Sequence, residues 1–398
     1  MSDSDSRVLT MLRLHLTRGV GPAIGRRMLG LFRDPERIFR ASKADLRRVE
    51  GVGEKKATEI HAGLRTSEEA AIREMERISA LGGHHIVLGD DDYPSLLAET
   101  PDAPLALSVL GSLRGVCDGH SVAIVGSRRC TAYGIEQTER FSAVLAQAGI
   151  AIVSGGARGI DSAAHRAALR VNGCTVAVLG CGLAHVYPPE NKELFDEIVE
   201  RGGAIVSELP ADTPPISENF PGRNRIISGL ALGVLVVEAP KGSGALITAK
   251  HATEDHGREV FAIPGRIDSA PSFGANELIQ SGGAMLALNP GDVVEALRRQ
   301  AEHLQAGTRA AVYAPKPGML FETSGPSGST VAEAKPGVSM QLTETQRAVW
   351  EALAATEAGI DDLAQSTGIA AETLLADLTL LEIRRLIVRR GSRFARAE

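Results

Sequence analysis

The chain has 398 residues, 43% hydrophobic and 23% charged, the make-up of a globular protein of two or three domains with a sizeable core. A formal net charge of -6 excludes a general coat of basic residues, so a nucleic-acid partner would have to meet a local basic surface. Aromatic residues make up 4%, which excludes long rows of stacking rings and predicts little base preference. Cys117, Cys130, Cys174 and Cys181 are dispersed without a Cys-x-x-Cys pair, so neither a disulfide framework nor a zinc site is expected. The polar start carries no signal-peptide pattern and no stretch approaches a membrane span, so the expected location is the cytoplasm.

Residues 1–85 read as a helical domain. Val8 to Leu16 forms a first helix, and two similar pieces follow, Gly19-Val20-Gly21-Pro22 and Gly51-Val52-Gly53-Glu54, each leading into an amphipathic helix. This is a SAM-like helix-hairpin-helix pattern, in which a glycine turn offers backbone N–H groups to a DNA phosphate. Arg26, Arg27, Lys55 and Lys56 stand beside the turns. DNA contact and a purely structural bundle both remain open. Leu46, Val49, Val52, Ala57 and Ile60 are the expected core, and a helix from Glu68 to Leu81 leads into the next domain.

Residues 86–300 alternate apolar runs with helical periods. The strands fall at Val122–Val125, Ala151–Ser154, Thr175–Leu179, Ala204–Ser207, Val234–Glu238 and Val260–Ile263. Near-continuous apolar strands joined by crossover helices mean an α/β fold, an extended Rossmann-like parallel sheet covered on both faces. The dinucleotide fingerprint is absent, since Gly126-Ser127-Arg128-Arg129 lacks the later glycines. Glycine turns at 126, 155 and 242–244 nevertheless gather on one sheet edge and suit a phosphate-rich ligand. The densest stretch, Phe220 to Ala249, adds Arg223, Asn224 and Arg225, planar donors for phosphates or base edges.

In order come Val-Ala-Ile-Val-Gly-Ser-Arg, Ser-Gly-Gly-Ala-Arg-Gly-Ile-Asp-Ser-Ala-Ala-His, Tyr-Pro-Pro-Glu-Asn, Phe-Pro-Gly-Arg-Asn-Arg-Ile-Ile-Ser-Gly-Leu, Ser-Gly-Ala-Leu-Ile-Thr-Ala and Phe-Ala-Ile-Pro-Gly. From Ser121 to about Ala287 the chain resembles the DNA-processing protein A (DprA, or Smf) family. The resemblance implies a dimeric, cofactor-free and non-catalytic protein that binds single-stranded DNA. It further implies that such a protein protects incoming strands and helps load the RecA recombinase during natural transformation. By motif, Arg128 would face the DNA backbone, and Ser154, Gly155 and Arg158 would line the glycine turn. Arg223, Asn224 and Arg225 would supply side-chain donors, and Lys241, Ser243, Gly244 and Thr248 would complete the pocket. Gly156 stands where many members have leucine, and Gly282-Gly283-Ala284 carries an extra glycine.

Residues 301–340, rich in proline, glycine and serine, read as a flexible linker. Residues 341–398 resemble a winged helix: a helix from Gln346 to Ala355 with Trp350, a helix-turn-helix over Ile360–Leu381, and a wing around Gly391. Six arginines and no acid lie between Arg384 and Arg396, but Glu372, Asp377 and Glu382 sit on the recognition helix. Duplex DNA and a protein partner both stay open for this domain.

Two groupings suggest an enzyme. Asp161 and His165 are spaced i, i+4, yet no nucleophile accompanies them, and a structural pair or cap is the expectation. His251, Glu254, Asp255 and His256 include consecutive residues that point to different helix faces, so no metal is expected. A nucleotide-binding or nucleotide-hydrolysing Rossmann enzyme is the alternative function. A sequence-specific regulator acting through the winged helix is a third.

Overall fold

The structure, a computed structural model, describes residues 3–117, 121–297, 344–353, 358–369, 374, 377–378, 381, 386–390 and 393–396. The chain divides into two compact units, Met1–Arg298 and Arg299–Glu398.

The first unit opens with six helices: α1 (Asp3–His15), α2 (Pro22–Phe32), α3 (Pro35–Phe39), α4 (Lys43–Leu46), α5 (Glu54–Leu64) and α6 (Ser67–Ala80). Gly21 and Gly53 are the N-caps of α2 and α5. Gly19 and Gly51, the first glycines of the two turns, adopt φ of +87° and +82°, a left-handed backbone that favours glycine. All five expected core residues are buried, in a cluster with Leu14, Met28 and Ile38 that extends onto Val87, Leu105 and Ala106 of the sheet region. The first hairpin's bases are taken up structurally: Arg26 Nη1 donates to the carbonyls of Ala98 (2.7 Å) and Thr100 (2.5 Å), and Arg27 Nη1 to that of Glu50 (3.0 Å). Lys55, beside the second turn, is exposed.

The sheet comprises β1 (His84–Val87), β2 (Ala106–Gly111), β3 (Ser121–Val125), β4 (Ala151–Ser154), β5 (Thr175–Val178), β6 (Ala204–Ser207), β7 (Gly233–Val236), β8 (Glu259–Ala262) and β9 (Met285–Leu286). Its spatial order is β1-β2-β6-β5-β4-β3-β7-β8-β9. The six predicted strands correspond to β3–β8. β2 runs antiparallel to both β1 and β6, while the other neighbours are parallel, so the expected parallel sheet is in fact mixed. β1, β2 and β9 escaped the sequence pattern; β1 and β9 are short and partly or wholly exposed, which breaks the continuous apolar run.

Eight further helices are α7 (Ser95–Ala98), α8 (Arg114–Cys117), α9 (Ala132–Gln147), α10 (Ile160–Arg170), α11 (Lys192–Glu200), α12 (Asn219–Gly229), α13 (Gly244–Lys250) and α14 (Phe273–Gln280). Side chains alternate across the pleat. Val125, Val153, Val178 and Val236 pack beneath residues of α12, α13 and α14, whereas Ala177 and Ile205 pack with Leu169, Leu194 and Ile198 of α10 and α11. Each fully buried aliphatic side chain contributes about 1.5–3 kcal/mol, and both faces of the central strands are covered.

In the second unit, helices Glu344–Ala352 and Ile360–Thr367 accompany a three-stranded antiparallel sheet of β10 (Ala358–Gly359), β11 (Ile387–Arg390) and β12 (Arg393–Arg396), in the order β10-β12-β11. Gly368 ends the second helix with φ +69°, as the helix-turn reading requires. Val349, Leu363, Leu374, Leu378, Ile387 and Phe394 form the core. Arg396 is turned inward: its guanidinium lies 3.5 Å from the Trp350 ring centroid and its Nε donates to the Trp350 carbonyl at 2.8 Å. The expected linker 301–340, most of the helix Ala371–Leu381 and the wing turn at Gly391 lie outside the described residues.

Candidate nucleic-acid interface

Strand order places the site. From β3 the chain moves outward through β4, β5 and β6, then returns to lay β7 on the other flank of β3. The loops leaving β3 and β7 therefore diverge and open a crevice beyond the strand ends, where open α/β sheets bind ligands. Here the crevice is a groove of about 670 Å³. One wall is the loop Gly126–Arg129, the floor is the start of α12 with Phe220, Arg223 and Asn224, and the opposite wall is Pro240 with Ser243, Gly244, Ile247 and Thr248 of α13.

Arg128 and Arg129 are exposed at this groove and form no ion pair among the described residues. The Arg128 guanidinium lies 5.1 Å from the centroid of Phe220, whose ring is 5.6 Å from that of Tyr187. Free cations beside two aromatic faces form a combination suited to a phosphate backbone with unstacked bases. The aromatic pair was not legible as a site, since Tyr187 and Phe220 are far apart in sequence. Each stands only inside its own motif, Tyr-Pro-Pro-Glu-Asn and Phe-Pro-Gly-Arg-Asn-Arg.

Asn224, Ser243, Gly244 and Thr248 all reach the groove. Ser243 caps α13, accepting from the Ala245 N–H at 3.3 Å, and Asn224 Nδ2 donates to the Gly244 carbonyl at 3.2 Å, joining the floor to the wall. Thr248, buried, donates to the Gly244 carbonyl at 3.4 Å. Lys241 is exposed in the same loop but is not part of the groove wall.

Other predicted residues occupy different roles. The Ser154 hydroxyl is fully buried and donates to the Ile124 carbonyl at 2.6 Å, so it faces the sheet and not the groove. Arg158 forms a two-pronged ion pair with Glu190, which holds the Glu190 carboxyl below its ordinary range through that hydrogen bond. Arg223 lines the groove yet is 7% exposed, and it donates to the carbonyls of Gly155 (2.6 Å) and Val178. Burial pushes its guanidinium down to about 10. Gly155 donates its N–H to Asp161 Oδ2 at 3.1 Å, so this amide of the glycine turn already has a carboxylate partner.

Arg225 lies outside the groove. It pairs with Glu208, and its Nη1 donates to the Asp102 carbonyl at 2.6 Å with the Asp102 carboxylate 3.6 Å from Nε. Arg223 and Arg225 are two residues apart, about 200° around a helix, so they cannot share a face.

Asp161 and His165 do not form a pair. His165 is buried with Nδ1 2.7 Å from the Thr175 hydroxyl, and burial pushes it down to about 3. A triad-like set does occur elsewhere: Ser228 Oγ is 3.0 Å from His256 Nδ1, and His256 Nε2 is 3.3 Å from Asp102 Oδ1. The Ser228 hydroxyl and the His256 side chain are completely buried, and neither residue lines the groove, so the set fastens α12 to the segment behind α13. Among the described residues no cluster of three His, Cys, Asp or Glu could hold a metal ion, and no helix is long and apolar enough to cross a membrane.

Three family profiles match the chain: DNA recombination-mediator protein A over residues 84–298, a SAM-like helix-hairpin-helix tandem over 13–66, and the DprA winged helix domain over 333–392. The protein Smf of Synechocystis is 36% identical over 395 residues, covering 95% of this chain and 96% of that one. The protein Smf of Escherichia coli is 46% identical over 233 residues, 58% of this chain and 62% of its own length. The crystal structure of DNA processing protein A from Streptococcus pneumoniae superposes with a TM-score of 0.59 at 34% identity, covering 73% of this chain and 96% of that one. By its motifs, its mixed sheet and these matches along its length, the chain belongs to the DNA recombination-mediator protein A family, the DprA/Smf proteins.

Proposed function

We propose that the chain is a non-catalytic single-stranded-DNA-binding protein that acts as a recombination mediator. One observation carries this reading: Arg128 and Arg129, without an ion pair among the described residues, share a groove at the sheet's switch point with the Tyr187–Phe220 ring pair, Arg128 lying over Phe220. Bases can reach those rings only when they are not stacked in a duplex, and the cations hold phosphates without reading sequence. The contact set comprises Arg128, Asn224, Ser243, Gly244 and Thr248, with Arg129, Tyr187 and Phe220 added and Arg223 as the buried floor. Fluorescence anisotropy of labelled oligo-dT in a salt series, with duplex of equal length alongside, tests the reading. Tight, salt-sensitive binding that prefers the single strand is expected. Equal or stronger duplex binding would overturn the preference, and absence of binding at low salt would return weight to a nucleotide ligand.

A mediator of this family hands single strands to a recombinase, and we infer that RecA is that partner during natural transformation. We infer also that the chain works as a homodimer joined through the β9 edge. That edge is unpaired among the described residues and carries exposed Met285 and Leu286, with exposed Leu288 just beyond, an apolar edge of the kind that pairs with a second copy. Light scattering should find a dimer for the parent chain and a monomer for Met285→Lys/Leu286→Lys. A dimer that survives both charges places the interface elsewhere.

A further inference from the structure

The glycine turn after β4 has the form of an anion nest, but an acid of the chain itself occupies it. The N–H groups of Gly155 and Ala157 both donate to Asp161 Oδ2, at 3.1 and 3.3 Å. Glycine at 155 leaves room for this carboxylate, because a Cβ there would come within 2.7 Å of that oxygen and 2.9 Å of Arg223 Nη2. Asp161 is 7% exposed and lines the floor of the groove, with Arg223 beside it. Arg223 Nε is buried without a hydrogen-bond partner. In α/β folds a turn of this kind, feeding a helix start, receives the phosphate of a nucleotide. Here the two amides meet a carboxylate instead.

We propose that Asp161 is a specificity-determining residue that closes the nest to phosphate monoesters and free nucleotides, leaving the groove to a phosphodiester chain. The inference rests on the single-strand reading given above. A terminal phosphate carries up to two negative charges on one centre and depends on several converging donors, so a fixed carboxylate in their midst repels it. A phosphodiester strand carries one charge per unit and is held by separate cations along its length, such as Arg128 and Arg129, and needs no deep nest. A mediator built this way is not blocked by the nucleotides that surround it.

The test is isothermal titration calorimetry with pyrophosphate at constant ionic strength, on the full chain and on Asp161→Ala. The parent chain should give no saturable binding, and the variant should gain affinity by about tenfold or more as two amides are freed beside the Arg223 guanidinium. A folded variant, shown by a cooperative thermal melt, that gains nothing overturns the proposal. Saturable binding of pyrophosphate by the parent chain overturns it too, and that arm needs no variant. Should Asp161→Ala fail to fold, Asp161→Asn removes the charge while keeping the shape, and a gain of about threefold or more is expected. No gain over the parent overturns the proposal. Oligo-dT is titrated in parallel: its failure to bind the parent chain would sink the single-strand reading, whereas the pyrophosphate arms judge Asp161 alone.

Discussion

Replacing Arg128 with alanine is expected to weaken oligo-dT binding by about tenfold or more, and to lower the salt slope by about 0.7, the value for one lost contact on a single strand. Arg128 is exposed, has no ion pair among the described residues, and lies over the Phe220 ring. Its removal therefore takes away a free charge and a cation–π neighbour together, leaving Arg129 as the neighbouring cation of that wall. The loss should be similar across base compositions, since a guanidinium on the backbone carries no sequence information. Arg128→Lys keeps the charge but not the planar face, and should fall between the two. Anisotropy titrations at several salt concentrations check all three statements. An unchanged affinity and slope in Arg128→Ala would mean that the strand takes another path across the molecule.

Arg225→Ala should act on stability, with an expected loss of about 3–5 kcal/mol, because it leaves a largely buried acid without its partner. The Arg225 side chain is 10% exposed and that of Glu208 is 17% exposed. Asp102 feels the change as well. Burial pushes its carboxyl upward, but the hydrogen bond from His256 and the charge of Arg225 outweigh this and hold it below its ordinary value. A depressed carboxyl contributes stability above its unfolded pKa and loses it as pH falls through the folded one. Removing Arg225 should thus also shrink the stability lost on acidification below the ordinary carboxylate range. Urea unfolding at neutral and at acid pH measures both effects. Oligo-dT affinity of the folded variant is expected to stay within about twofold, since Arg225 makes no groove contact and surface-distant changes add independently. A large loss of affinity with stability intact would restore the role that its sequence neighbours suggested.

The contrast between these two arginines shows where sequence reading stops. The Arg223-Asn224-Arg225 run was legible as a functional stretch, and Arg223 and Asn224 do reach the groove. Helical geometry separates Arg225 from them, yet only the packed sheet decides which face of α12 meets the crevice. Ser154 belongs with this case. Its place at a strand end beside a glycine turn was readable, whereas the direction of its hydroxyl into the sheet, onto the carbonyl of Ile124, was not.

Apolar runs, glycine turns and motif order determined by themselves the α/β class, six of the sheet strands, the helices between them and the family. Those features depend on periodicity and local backbone chemistry, which a linear chain displays directly. Tertiary structure alone decided the reversal of β2, the meeting of Tyr187 with Phe220, and the filling of the Gly155 turn by Asp161. Whether a donor or a charge is free depends on every group within a few ångströms of it, and those neighbours are chosen by the fold and not by the sequence window around the residue.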